Sequence, residues 1–195
     1  MSISGLKGTH AASPNSAPLA VTETRLRRLA PDGSSAILAG IAASFDRLAP
    51  IYGVTTRLRI CHFLAQAAHE TDGLRTLDEY GGPAHFARYE GRRDLGNTQT
   101  GDGARYHGRG IFQLTGRANY RRFGQIIGMD LEAEPDRACH PDIALSVALA
   151  YWRELGIGAA ADADDIQGVT RLINGGRNGL AARARCLRLA KTIWP

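Results

Sequence analysis

Apolar residues recur at helical spacing through most of the chain. Ile37, Leu38, Ile41, Phe45 and Leu48 define one amphipathic helix, capped at Ser34 or Ser35 and running to about Pro50. A shorter helix precedes it in RLRRLA, opened by Thr22 or Thr24 and closed by the break Pro31-Asp32-Gly33. Thr55 or Thr56 opens a third, LRICHFLAQAAHE, with Leu58, Cys61, Phe63, Leu64 and Ala67 on its apolar face and Glu70 at its end. Periodicity then fades. Residues 71–110 are rich in Gly, Asp, Arg and Asn, and so long an aperiodic stretch inside a compact chain predicts functional loops. Helical patterns resume in ANYRRFGQIIG, in PDIALSVALAYWREL with Pro141 at a first-turn position, in DDIQGVTRLI ended by Asn174-Gly175-Gly176, and in GLAARARCLRLAKTIW. The expected fold is mainly α, with a loop-lined groove between helical parts and no internal repeat.

At 195 residues and 44% apolar content the chain suits one domain, placed at 23–195 after a flexible tail at 1–22. The tail lacks the continuous apolar core of a secretory leader. No apolar run reaches the roughly 18 to 20 residues needed to span a bilayer, which predicts a soluble protein, and a monomer is expected. Cys61, Cys139 and Cys186 are odd in number and widely spaced; that argues against a disulfide framework or a zinc site and fits synthesis in a reducing cytoplasm. The net charge of +5 suggests polyanionic surroundings, although a solvated arginine surface is the plainer account.

The stretch AHETDGLRTLDEY (68–80) concentrates the candidate chemistry. HETDG begins like a zinc-protease HExxH, but Gly73 stands where the second histidine belongs, so no metal is expected. Neither GDG (101–103) nor GRG (108–110) extends to a nucleotide-binding pattern. There remain the carboxylates. In an unbroken helix the spacing of Glu70 and Glu79 turns them by about 900°, to opposite sides and about 13 Å apart along the axis. They can cooperate only if the helix stops near Gly73, and a glycine just beyond a helix end is the common terminator. Glu70, at the negative end of a helix dipole and partly desolvated, is then the better acid; Glu79, on a polar loop, is the better base. Two solvated acids flanking a glycine are the bland alternative.

Taken together, FLAQAAHETDGLRTLDEY, RYEGRRDLGNTQTGDGARYHGRGIFQLTGRANY and RLINGG resemble glycoside hydrolase family 19, specifically its short endolysin-like branch from phages and prophages. This resemblance covers roughly residues 35–193. It implies a lysozyme-like α-helical fold and inverting hydrolysis of a β-1,4-linked aminosugar chain, without metal or organic cofactor. The glutamate of HET, Glu70, would be the general acid and Glu79 the base, at the carboxyl separation of about 6.5 to 9.5 Å that inversion requires. Gln113, Thr115, Asn119 and Asn174 map onto sugar- and water-binding positions. Arg183, with Arg185 as the alternative, would pair with the catalytic loop. Thr115 as a helix N-cap and Asn174 as a helix stop are structural readings of the same residues, and Glu90 in Tyr89-Glu90-Gly91-Arg92 is a rival base.

The expected substrate is the MurNAc-GlcNAc backbone of peptidoglycan, reached after release or export; chitin is the alternative. Only two tryptophans and no chitin-binding module are present. A non-catalytic glycan-binding protein is disfavoured by the presence of both glutamates. Nucleic acid is not expected as a partner, since no reader motif accompanies the arginines.

Overall fold

The computed structural model describes residues 18–195. Ten α-helices follow one another among them, with short 3-10 turns between some: α1 (Glu23–Leu29), α2 (Ser35–Leu48), α3 (Arg57–Glu70), α4 (Pro83–Phe86), α5 (Asp102–Arg105), α6 (Arg117–Ile127), α7 (Pro141–Glu154), α8 (Ile157–Asp162), α9 (Ile166–Asn174) and α10 (Leu180–Ile193). Among the described residues β pairing is confined to two isolated bridges, Asp78 with Arg109 and Arg109 with Leu114. Thr22 and Thr56 start α1 and α3 by accepting from the backbone N–H of Arg25 (3.3 Å) and Arg59 (3.2 Å), satisfying donors that a helix start leaves unpaired. Pro141 occupies the first turn of α7, and Asp165 caps α9 through Gly168 N–H at 2.9 Å.

The third helix departs from the amphipathic expectation. Every residue from Ile60 to Ala68 is buried, His62 and Gln66 included, while Leu58 is only half-buried. The cause is position: α8, α9 and α10 all pack against α3, so its polar residues find partners inside. His62 Nε2 lies 2.9 Å from Asp164 Oδ1, and Gln66 Oε1 accepts from Arg183.

Two apolar clusters share α7. Leu38, Phe45, Phe63, Leu64 and Trp152 belong to the larger, where Phe63 makes edge-to-face contacts with Phe45 (5.7 Å), Phe112 (5.6 Å) and Trp152 (5.6 Å). Tyr106, Tyr120, Phe123 and Leu131 form the smaller. Ala144, Leu145, Ala148 and Leu149 face the first cluster, Ile143, Val147 and Ala150 the second. Each fully buried Leu or Phe contributes about 1.5 to 3 kcal/mol. The two clusters therefore hold α3 and the 106–127 region in fixed relation through one helix.

Packing begins before Thr22. Ala20 and Val21, assigned by composition to the tail, are buried; Ala20 O accepts from Trp194 Nε1 at 3.1 Å, and Val21 N–H donates to Asp46 Oδ1 at 3.1 Å. Residues 1–17 of that tail lie outside the described residues. All three cysteines are free thiols whose pKa burial pushes up, that of Cys139 to about 11. Among the described residues no helix is long and apolar enough to cross a membrane.

Candidate active site

The reversal after α3 is built by its neighbours as much as by Gly73. Thr71, fully buried, donates its hydroxyl to Ala67 O (2.6 Å) and accepts from Leu74 N–H (3.0 Å). Asp72, Gly73 and Leu74 follow with φ of 50°, 72° and 58°. Holding a non-glycine residue in that region costs about 1 to 2 kcal/mol. Complete burial of the Leu74 side chain offsets it. Glu70 thus ends its helix, and the chain carrying Glu79 leaves in a new direction.

Glu79 is fixed by pairing across the loops. Gly110 N–H donates to Leu77 O (2.7 Å), Glu79 N–H to Gly108 O (2.9 Å) and Gly108 N–H to Glu79 Oε2 (2.8 Å). On the other side, Arg109 and Leu114 exchange backbone hydrogen bonds at 3.1 and 2.7 Å. Gly108 is the close-approach point. A Cβ there would stand 2.6 Å from Gln113 Oε1, 3.0 Å from Glu79 Oε2 and 3.3 Å from Thr115 Oγ1, so three predicted site residues converge around one glycine. Thr115 is not the N-cap of α6: Gly116 takes that position, and the Thr115 hydroxyl donates to Gln113 O at 2.9 Å. Asn119, in the first turn of α6, donates to Thr115 O at 2.8 Å.

Donors surround the Glu79 carboxylate. Oε1 accepts from Tyr89 Oη (2.9 Å) and Arg88 Nη2, with His85 Nε2 at 3.2 Å. Burial by itself would raise the Glu79 pKa, but the hydrogen bonds from Gly108, Tyr89 and His85 and the charge of Arg88 outweigh it, and the group is held below the usual carboxylate range. Arg88, Tyr89, His85 and Gly108 escaped the sequence reading. They belong to aperiodic segments; the YEGR and GRG motifs include Tyr89 and Gly108 but assign them no part beside Glu79.

Opposite, α10 supplies the partner of Glu70. Arg183, 3% exposed, places Nη1 2.6 Å from Glu70 Oε1 and also donates to Gln66 Oε1 and, through Nε, to Asn178 O at 3.1 Å. Arg185 is exposed and forms no ion pair with Glu70 among the described residues. Asn174 staples the turn before α10 by donating to Asn178 O (3.0 Å) and accepting from Gly176 N–H (2.8 Å). The His69 imidazole fills the space where a side chain on Gly179 would stand, which brings the start of α10 onto the end of α3. Burial, then the charge of Arg183, lower the pKa of His69. Glu90, the rival base, is otherwise engaged: its carboxylate accepts from Gly101 N–H (2.7 Å) and Gly103 N–H (2.8 Å).

Tyr151 joins the two sides. Its ring packs on Phe112 at 5.8 Å, and its pKa is raised by burial and then by the charge of Glu70. An open cavity of about 1270 Å³ is lined by Asp102, Arg105, Arg117, Glu132 and Asp136, but none of the predicted site residues borders it. No three His, Cys, Asp or Glu side chains among the described residues are grouped to hold a metal.

A mainly α, lysozyme-like scaffold with one glutamate ending a central helix and a second on an adjoining loop is that of a glycoside hydrolase. The chain belongs to glycoside hydrolase family 19: the family's sequence profile, described as chitinase class I, matches residues 35–166. Asn174 and Arg183 fall beyond that match. A glycosyl hydrolase family 19 domain-containing protein of Haemophilus influenzae is 27% identical over 196 residues, covering 86% of this chain and 94% of its own. Endochitinase 1 of Theobroma cacao is 31% identical over 165 residues, 69% of this chain. The chain spans about half the length of that plant relative, 51%. Chitinase C from Streptomyces griseus has the same fold, with a TM-score of 0.75 at 22% identity over 96% of this chain and 79% of that one. A class IV chitinase from Zea mays superposes with a TM-score of 0.65 at 21% identity, over 90% and 92% of the two chains.

Proposed function

We propose that the protein hydrolyses chitin-type chains of β-1,4-linked N-acetylglucosamine by inversion, with Glu70 as general acid and Glu79 as general base. The observation that carries this reading is the donor-rich setting of Glu79, which keeps a carboxylate charged and so suits a base. Glu79 is ringed by donors that favour its charged form, and its Oε2 borders Gly108 together with Gln113 Oε1 and Thr115 Oγ1. Glu70 ends a buried helix with Arg183 as its neighbour. In the reaction Glu70 gives its proton to the leaving glycosidic oxygen as the bond to the anomeric carbon breaks. Water, held by the Thr115 hydroxyl, attacks that carbon from the opposite face and yields its proton to Glu79. The products are a free 4-hydroxyl and a new reducing end of inverted configuration. Gln113, Asn119 and Asn174 are assigned to sugar contact, and Arg183 to holding Glu70. Endochitinases among the relatives favour the chitin-type substrate.

One observation favours a second reading, in which an endolysin-like enzyme cleaves the MurNAc-GlcNAc backbone of peptidoglycan after release or export. Residues 166–195 contain Arg171, Arg177, Arg183, Arg185, Arg188 and Lys191 and no Asp or Glu. Arg171, Arg177, Arg185 and Arg188 are exposed and form no ion pair among the described residues. Such a face suits the carboxylates of a bacterial wall better than neutral chitin. Side-by-side digestion of chitin oligosaccharides and purified peptidoglycan, with mass spectrometry of the products, separates the two. Cleavage of chitin oligosaccharides supports the first; new reducing ends at MurNAc alone would replace it with the second. Glu70→Gln should lower turnover on the true substrate at least about 100-fold, and near-normal turnover would remove Glu70 as the acid.

A further inference from the structure

The loop between α4 and α5 contains the YEGR motif, whose chemistry the acid/base pair leaves unused. Its geometry points to a clamp on the base. Tyr89 Oη, Arg88 Nη2 and His85 Nε2 all converge on Glu79 Oε1, an oxygen with two lone pairs for three donors. Among the described residues Oε2 has a single donor, Gly108 N–H at 2.8 Å, and it borders Gly108 together with Gln113 Oε1 and Thr115 Oγ1. The two oxygens are therefore inequivalent. With Oε1 saturated, the lone pair free to take a proton is on Oε2.

The clamp is itself anchored at three points. Asn97, fully buried, donates to Tyr89 O at 2.9 Å and accepts from Arg117 N–H at 2.8 Å, tying the loop to the start of α6. Glu90 grips Gly101 and Gly103 through their N–H groups. Phe86 stacks on His107, ring centroids 4.1 Å apart and planes 7° apart. Loop residues held to the scaffold at three sites can orient a carboxylate before substrate arrives, which is where preorganisation acts. Glu90 thereby has a role other than the rival base.

We propose that Tyr89 and Arg88 are positioning residues that orient Glu79 and reserve its Oε2 for proton transfer, an inference that rests on Glu79 being the base. The charged and titratable groups facing Glu79 are His85 from α4, Arg88 and Tyr89 from this loop and, on the neighbouring strand-like segments, Asp78 paired with His107 at 2.8 Å. Removing a donor to Oε1 weakens the charged form, so the base should titrate higher.

The test uses the whole chain with Tyr89→Phe, Arg88→Ala, Arg88→Lys and Glu79→Gln. Glutamate labelled with carbon-13 at the carboxyl reports the Glu79 titration by NMR, the resonance being assigned by its loss in Glu79→Gln. Tyr89→Phe and Arg88→Ala should each raise the Glu79 midpoint and the acid limb of kcat/KM, and lower kcat about 10-fold with KM within about twofold. Arg88→Lys should restore part of both. Unchanged midpoint and kcat in Tyr89→Phe and Arg88→Ala would overturn the proposal, as would a kcat loss with no movement of the midpoint, which is the signature of a merely structural role. Full activity in Glu79→Gln would instead overturn the assignment of the base, whatever the NMR midpoints show.

Discussion

Arg183 Nη1 lies 2.6 Å from Glu70 Oε1 although the two residues belong to helices far apart along the chain, α10 and α3. The guanidinium is 3% exposed and also bonds Gln66 and Asn178 O. Removing one member of such a buried group leaves the others without partners. Arg183→Ala should lower stability by about 3 kcal/mol and depress turnover more than Arg183→Lys, which keeps the charge. Urea unfolding and kcat measured on the same preparations check both. Unaltered stability would mean that the pairing carries no net energy.

Gly108 offers a test of the convergence around the base. Its Cβ in Gly108→Ala would first meet Gln113 Oε1 at 2.6 Å, the end of a flexible side chain, and then Glu79 Oε2 at 3.0 Å. Relief by rotation is inexpensive for the fold but displaces the groups that matter. Stability should change by about 1 kcal/mol or less, while kcat/KM falls about 100-fold, as a misplacement of about 1 Å can cause. Normal catalysis in Gly108→Ala would contradict the placement of Gln113 and Glu79 as working groups.

Thr71 shapes the turn that separates acid from base. Thr71→Val keeps the volume but strands Leu74 N–H in a fully buried position, at a cost of about 1 to 3 kcal/mol. Thermal unfolding should show the loss, and the activity of the folded fraction should fall as well, because the path from Glu70 to Glu79 runs through Asp72 and Leu74 at positive φ. Retention of wild-type melting would show the hydroxyl to be dispensable.

Acid sensitivity should trace in part to Glu132. Hydrogen bonds from Arg121, then from Arg117, overcome its burial and bring its pKa down to about 2. Because the folded value lies below the unfolded one, this pairing stabilises the fold above about pH 4.3 and fades as pH falls towards 2. Solvent around the carboxylate, 23% exposed, screens the gain to about 1 kcal/mol. Glu132→Gln should therefore narrow the difference in unfolding free energy between pH 7 and pH 3 by roughly that amount; an unchanged difference would exclude the group.

Local physics makes much of this molecule legible from its sequence. Thr22, Thr56, Pro141 and Gly175 mark helix ends because capping and backbone conformation act within a few residues. The spacing of Ile37, Leu38, Ile41 and Phe45 similarly determines that α2 has a buried face. A break after Glu70 is signalled by Gly73, a glycine just beyond the end of the helical pattern.

What tertiary structure alone decided is which distant groups meet. Among the described residues the four donors to Glu79 come from the short α4, the loop after it and Gly108, segments without periodicity whose pairing depends on backbone contacts between residues far apart in sequence. The choice of Arg183 over Arg185 turns on helix phase: one residue points into the contact between α10 and α3, and the other points to water. Short-range rules set where each helix begins and ends; burial and long-range hydrogen bonding set what each loop holds, and those depend on the whole chain being folded at once.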